Sequence, residues 1–193
     1  APLPQMAITI AASLIAVYYT VFIERFNNPF TNEQVVLPLG LTIVLTLFWM
    51  AGMTTTVNWL DGLDGLATGV SGIAAGVFFL HMLSLGQTSV ALLALALLGA
   101  TLGFLPHNLH PARIFIGSSG SYFLGYAVGA LSIIGGAKAA SALLVLGIPI
   151  LDVAWQILNR IREGRSPGSS DRGNLHFRLV DMGIPQQRIV LMY

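Results

Sequence analysis

Six mostly apolar runs, each near the length of a lipid crossing, divide this chain and leave little room for any other architecture. A bilayer's hydrocarbon is about 30 Å thick and takes about 20 helical residues to cross. The runs are Met6–Ile23, Val35–Met53, Leu66–Leu85, Val90–Leu105, Ser121–Ile134 and Ala139–Leu158, the fifth being the shortest. A seventh opens at Gln186–Arg188, and the sequence stops at Tyr193. Charged residues make up 9% of the 193 and hydrophobic ones 55%, against about 25% charged in an ordinary soluble domain. Too little polar surface remains to coat a soluble core. Disorder, a collagen-like fibre and a basic nucleic-acid-binding domain are excluded, so no nucleic-acid partner is expected. With no cysteine, disulfide scaffolds and thiol chemistry are excluded too. The expected fold is an all-α polytopic membrane protein with six to seven spans, residues 1–193 forming one membrane domain.

The first run lacks the basic leader and small-residue cleavage site of a signal peptide. The opening Ala1-Pro2-Leu3-Pro4 and the halt one turn into an apolar run predict a piece of a longer chain, with helices missing at both ends. If all six runs cross, segments 54–65, 106–120 and 159–187 share one side. That side holds Arg113, Arg160, Arg162, Arg165, Arg172, Arg178 and Arg188; the other holds Arg25 and Lys138. The bias predicts a cytoplasmic location for the first side. Glu24–Pro38, on the opposite side, reads as a short hairpin or irregular loop. The pairs Gly65/Gly69, Gly72/Gly76, Gly99/Gly103 and Gly125/Gly129 predict close helix packing along three of the runs.

Polar chemistry gathers at the arginine-rich side in three clusters. Asn58, Asp61 and Asp64 stand three apart, a spacing that lets them converge on one helical face. Ionised groups beside lipid are costly and mark function by default, although a water-wetted interfacial cap is the plainer alternative. The stretch Pro106–Ser121 is a loop leading into a helix, where Ser118, Ser119 and Gly120 offer hydroxyls and N–H groups to phosphate. Gly/Ser helix starts are common without any ligand. The third cluster runs from Asp152 to Arg188, with Asp152 in an apolar stretch and His176 between Leu175 and Phe177. Arginines bind phosphate in bidentate fashion, and carboxylates hold Mg²⁺ together with phosphate oxygens. Together the clusters suit a nucleoside diphosphate at the membrane face, with phosphoryl transfer onto a lipid phosphate. His81, alone in the third run, reads as a packed helix residue.

These residues resemble the polyprenyl-phosphate N-acetylhexosamine-1-phosphate transferases, glycosyltransferase family 4. The resemblance rests on Pro29-Phe30, Trp49-x-x-Gly52-x-Thr54, Asn58-x-x-Asp61-Gly62-Leu63-Asp64-Gly65-Leu66-Ala67 and Gly69-Val70-Ser71-Gly72-Ile73. It continues through Asn108-x-x-Pro111-Ala112-Arg113-Ile114-Phe115, Gly117-x-Ser119-Gly120-Ser121, Pro149-x-x-Asp152, Gly164-Arg165-Ser166-Pro167 and Asp171-Arg172-Gly173-x-Leu175-His176. It implies ten or so crossing helices, a cytoplasmic groove, and Mg²⁺-dependent transfer of a sugar-1-phosphate from a UDP-sugar to undecaprenyl phosphate. The branch looks closer to the GlcNAc-1-phosphate and teichoic or polysaccharide initiators than to the pentapeptide enzymes.

By resemblance, Asp61, Asp64 and His176 are catalytic. Asn58, Asn108 and Phe115 bind the nucleotide, Phe115 by stacking on uracil, and Arg172 and Arg178 contact phosphate or sugar. The chain also departs from the family pattern. Ser118 stands where the family has its metal-binding Asp, so no metal ligand is assigned. Asn174 and Phe177 replace two histidines of a His-x-His-His motif, and Thr55 replaces an Asn. An upstream Asp-Asp pair is missing from these residues. Two expectations follow: an impaired transferase using Mg²⁺, or an inactive homologue serving as a scaffold subunit among other membrane proteins.

Overall fold

A computed structural model of the chain describes residues 2–27, 33–135, 139–166 and 173–193, with side chains given from Pro4 in the first helix and from Val145 in the sixth. Eight helices are described: α1 Pro2–Tyr18, α2 Leu39–Leu60, α3 Leu66–Ser84, α4 Thr88–Asn108, α5 Gly117–Ile134, α6 Ala139–Arg162, α7 Leu175–Asp181 and α8 Gln186–Met192. Two three-residue strands, β1 Arg25–Asn27 and β2 Gln34–Val36, form an antiparallel ribbon with Arg25 opposite Val36. The all-α expectation holds, and the ribbon is the hairpin expected over Glu24–Pro38. Pro29, Phe30, Lys138, Pro167, Asp171 and Arg172 lie outside the described residues.

Among the described residues, α2, α3 and α4 are long and apolar enough to cross a membrane. The apolar part of α1, Pro4–Tyr18, is shorter. The start of α5 is Gly-Ser-Ser-Gly-Ser, and α6 carries Asp152, Arg160 and Arg162. Large apolar side chains point outward: Phe48, Ile73, Leu80, Leu92, Leu93 and Leu102 are exposed. Small polar ones point inward, as with Thr46, Thr54, Ser71 and Thr101. A soluble protein has the opposite arrangement; lipid as solvent favours this one. The buried threonines satisfy themselves locally, Thr54 Oγ1 donating to the Met50 carbonyl at 2.7 Å, Thr46 Oγ1 to the Thr42 carbonyl at 2.7 Å and Thr101 Oγ1 to the Leu97 carbonyl at 3.0 Å. Such back-bonding meets the hydrogen-bonding demand that hydrocarbon cannot.

The bundle is built on two tight pairs, α3 with α4 and α2 with α5. Both depend on small residues. A Cβ placed on Gly125 would meet the Thr54 backbone at 2.6 Å, and one on Gly129 would meet Met53 at 3.2 Å. Gly72 lies against Thr101 of α4, where an added Cβ would stand 3.0 Å from its hydroxyl. Trp49 Nε1 donates to Ser132 Oγ at 2.9 Å and fixes the register of α2 on α5. The expectation for Gly99 and Gly103 fails: nothing lies within 4 Å of a Cβ on either. They sit on the open face of α4, where a repeat of small residues has no partner helix among the described residues. Gly125→Ala, meeting backbone that cannot rotate away, is expected to destabilise the bundle by about 1–3 kcal/mol. Gly99→Ala is expected to be neutral or slightly stabilising, since Ala is the better helix former. Thermal melts in detergent compare the two.

Candidate functional site

The three polar clusters meet at one end of the bundle. Asn58 lies in the last turn of α2, which stops at Leu60. Asp61 caps it, its N–H bonding the Asn58 carbonyl at 3.3 Å. The chain then turns through Gly62 and Gly65, and Gly65 takes a left-handed φ of +83° before α3 begins. The expected convergence of Asn58, Asp61 and Asp64 along one helix is therefore corrected. Glycines end the helix before Asp64, and the three side chains leave a turn in different directions.

Asn58 Nδ2 donates to Ser121 Oγ at 2.9 Å, and that hydroxyl donates to the Ser118 carbonyl at 3.2 Å. Asp64 Oδ2 accepts from the Ala112 N–H at 3.2 Å and lies 3.0 Å from His110 Nδ1. Asn108 is buried: it accepts from Thr68 Oγ1 at 2.8 Å and donates to the Ile114 carbonyl at 3.0 Å. The loop 109–116 is thus tied down from both sides. Asn58 and Asp64 hold its surroundings, and Asn108 braces it from beneath. Phe115 stands at its tip, 73% exposed, beside an apolar groove of about 260 Å³ walled by Thr68, Phe104 and Phe123. The first turn of α5 follows directly, with Ser118 and Ser119 exposed and no side-chain cap on its N–H groups.

Asp61 differs from its neighbours. Its carboxylate is half-buried, and no hydrogen bond or ion pair to it is found among the described residues. Desolvation pushes its pKa up to about 6, because burial penalises the charged form and no cation offsets it. Among the described residues no group of three or more His, Asp or Glu side chains gathers to hold a metal. Mg²⁺ nevertheless keeps several waters and is commonly held by one or two carboxylates plus substrate phosphates. The unpartnered Asp61 carboxylate fits that second arrangement; an all-protein cage is not present among the described residues.

His176 comes to the same turn from the other end of the sequence. It is 1% exposed, and neither ring nitrogen has a hydrogen-bond partner among the described residues. Its ring lies against Phe177, centroids 4.4 Å apart. A Cβ on Gly62 would stand 2.5 Å from its Nε2 and 2.7 Å from the Phe177 ring. Gly62 is therefore required for close approach. Burial holds His176 down at about 4, so the ring is neutral at physiological pH. Arg178 is exposed on the same short helix and close enough to Asp152 to act on it electrostatically. Arg172 lies outside the described residues.

Sequence reasoning missed the partners. His110 opposite Asp64 was hidden because the pair is 46 residues apart. Gln156 and Arg160 had a legible signal: with Asp152 they form an i, i+4, i+8 polar row in an apolar helix.

An all-helical, lipid-facing bundle with an acidic turn, an aromatic loop tip and a buried histidine at one end defines a polytopic membrane protein with a polar site at its surface. Residues 2–136 match glycosyl transferase family 4. The chain is 34% identical over 195 residues to the probable undecaprenyl-phosphate N-acetylglucosaminyl 1-phosphate transferase of Bacillus subtilis (strain 168), covering 97% of this chain and 54% of that protein. It is 38% identical over 176 residues to the decaprenyl-phosphate N-acetylglucosaminephosphotransferase of Mycolicibacterium smegmatis, covering 78% of this chain and 43% of that protein. It is 41% identical over 133 residues to the phospho-N-acetylmuramoyl-pentapeptide-transferase of Listeria welshimeri, covering 68% of this chain and 40% of that protein. This chain belongs to glycosyl transferase family 4. It spans about half the length of the curated relatives it matches.

Proposed function

We propose that the protein containing this chain transfers a sugar-1-phosphate from a UDP-sugar to undecaprenyl phosphate at the cytoplasmic face of the bacterial membrane. The observation that carries the reading is Asp61, a half-buried carboxylate without a partner among the described residues, set beside the braced Phe115 loop and the uncapped start of α5. The arginine bias toward this end supports its cytoplasmic side. The names of the relatives support a polyprenyl-phosphate acceptor.

In this reading Phe115 stacks on the uracil, and the first N–H groups of α5 face the donor's phosphates. Asp64 holds the loop in place through the Ala112 N–H and His110. An oxygen of the lipid phosphate forms a bond to the phosphorus that carries the sugar. The bond from that phosphorus to the bridging oxygen of the diphosphate breaks, and UMP leaves carrying the bridging oxygen. Asp61 would be the residue that holds Mg²⁺, and the ion would supply charge neutralisation at the phosphates. Such transfer needs positioning and electrostatic stabilisation more than covalent chemistry by the protein. Ser118 in place of an acidic residue, together with Asn174 and Phe177, slows it.

A second reading, a catalytically inactive scaffold subunit of a membrane complex, is favoured by one observation: Phe177 and Gly62 lie against the His176 ring, and neither nitrogen has a partner among the described residues. One assay separates the two. Full-length protein in detergent, given UDP-[¹⁴C]GlcNAc, undecaprenyl phosphate and Mg²⁺, is expected to form labelled lipid slowly and to release UMP. No product beside a working relative overturns the transferase reading; stoichiometric copurification with other membrane proteins would then support the scaffold.

A further inference from the structure

We propose that Asp152, Gln156 and Arg160 form a docking row on α6 that positions the His176 helix, α7, against the Asp61–Gly62 turn. The three stand one turn apart, so they share one face of α6. Both carboxylate oxygens of Asp152 accept from the Leu175 N–H, at 3.0 and 2.9 Å. The Gln156 side-chain amide donates to Asn174 Oδ1. Arg160 Nη2 donates to Gln156 Oε1 at 3.1 Å, and its guanidinium lies 4.5 Å from the centre of the Trp59 ring. Asn174 Nδ2 donates to the Trp59 carbonyl at 3.2 Å, closing the link on the last turn of α2.

The row therefore connects α6 to the residue before α7 and to a residue two positions ahead of Asp61. Arg160 is 3% exposed. A buried guanidinium is costly unless its surroundings use it, and here it braces Gln156 and covers Trp59. Asn174 acts in this row as a structural link. Its amide both donates and accepts here, as the Gln156–Asn174–Trp59 chain requires. None of the three row residues belongs to the acidic turn itself, so they are positioning residues. The catalytic consequence rests on the transferase reading; the docking itself does not.

Hydrogen exchange of the full-length protein in detergent tests the docking without reference to activity. Asp152→Ala and Arg160→Ala are expected to speed exchange of the amides of residues 175–181 by about tenfold or more, since each removes charge-assisted contacts. Peptides from α2 to α5 are expected to keep their protection. Asp152→Asn, which retains a carbonyl acceptor, is expected to restore part of it. If Asp152→Ala disrupts the whole bundle, Gln156→Ala cuts the Asn174 link while leaving the rest of the row in place, and is read in the same way. Unchanged exchange in α7 with a native bundle in these variants overturns the proposal. In the transfer assay the same variants are expected to lower kcat with little change in KM for the UDP-sugar. A wild-type protein without activity would end the transferase reading, while the exchange result would still decide the docking.

Discussion

Ser118→Asp is expected to raise the rate of sugar-phosphate transfer by about 10- to 1000-fold, the effect of a few kcal/mol of added transition-state stabilisation. The position allows it. Ser118 is exposed in the first turn of α5, where an acidic side chain is favoured by the helix dipole. It enters the network through its backbone carbonyl, which accepts from Ser121 Oγ. The Asn58–Ser121 contact therefore survives the substitution. In the proposed mechanism a new carboxylate there would join Asp61 in attracting Mg²⁺, so the Mg²⁺ concentration for half-maximal rate is expected to fall as well. Transfer rates measured across a Mg²⁺ titration, wild type against variant, check both. A folded variant no faster than wild type at any Mg²⁺ concentration overturns the proposal that Ser118 slows transfer.

Much of the fold was legible because lipid imposes a simple rule. Apolar runs of the right length announce α2, α3 and α4, and the turn formers of Glu24–Pro38 announce the ribbon. Grouping the polar loops at one end follows from alternation alone, and the contacts from Asp64 to Ala112 and from Asn174 to Trp59 bear it out. Direction was not legible. Spacing of three suggests one helical face for Asn58, Asp61 and Asp64, but Gly62 and Gly65 end the helix and turn them apart. Spacing of four marks both Gly125/Gly129 and Gly99/Gly103, yet only a neighbouring helix decides which pair packs. Asn108, read as a nucleotide ligand by resemblance, has its oxygen and one N–H engaged by Thr68 and Ile114; sequence separation conceals such bracing. Phe177, read by resemblance as standing in for a histidine, lies against the His176 ring, which only packing shows.

Asp61→Asn is expected to cut transfer by about 100-fold or more, the loss of a charged group facing the reacting phosphates, while making the protein more heat-stable at alkaline pH. The sign follows from linkage. The folded-state pKa is raised to about 6, above the roughly 3.9 of an unfolded carboxyl. The folded protein thus binds this proton more tightly than the unfolded chain does. Well below pH 4 both states carry the proton and burial has little cost. As pH rises through about 6 the folded group must ionise in a poorly solvated place, and stability falls. Asparagine never ionises, so its Tm advantage is expected at pH 8 and absent well below pH 4. Activity runs the other way. Wild-type transfer is expected to rise with pH through a limb near 6, and the residual rate of Asp61→Asn is expected to lack that limb. Melting curves and pH–rate profiles on the same two proteins supply the check. A residue kept only for packing would lose stability and activity together. Loss of rate with gain of stability marks a carboxylate retained for its charge, and a variant that is both less stable and fully active would remove Asp61 from the proposed site.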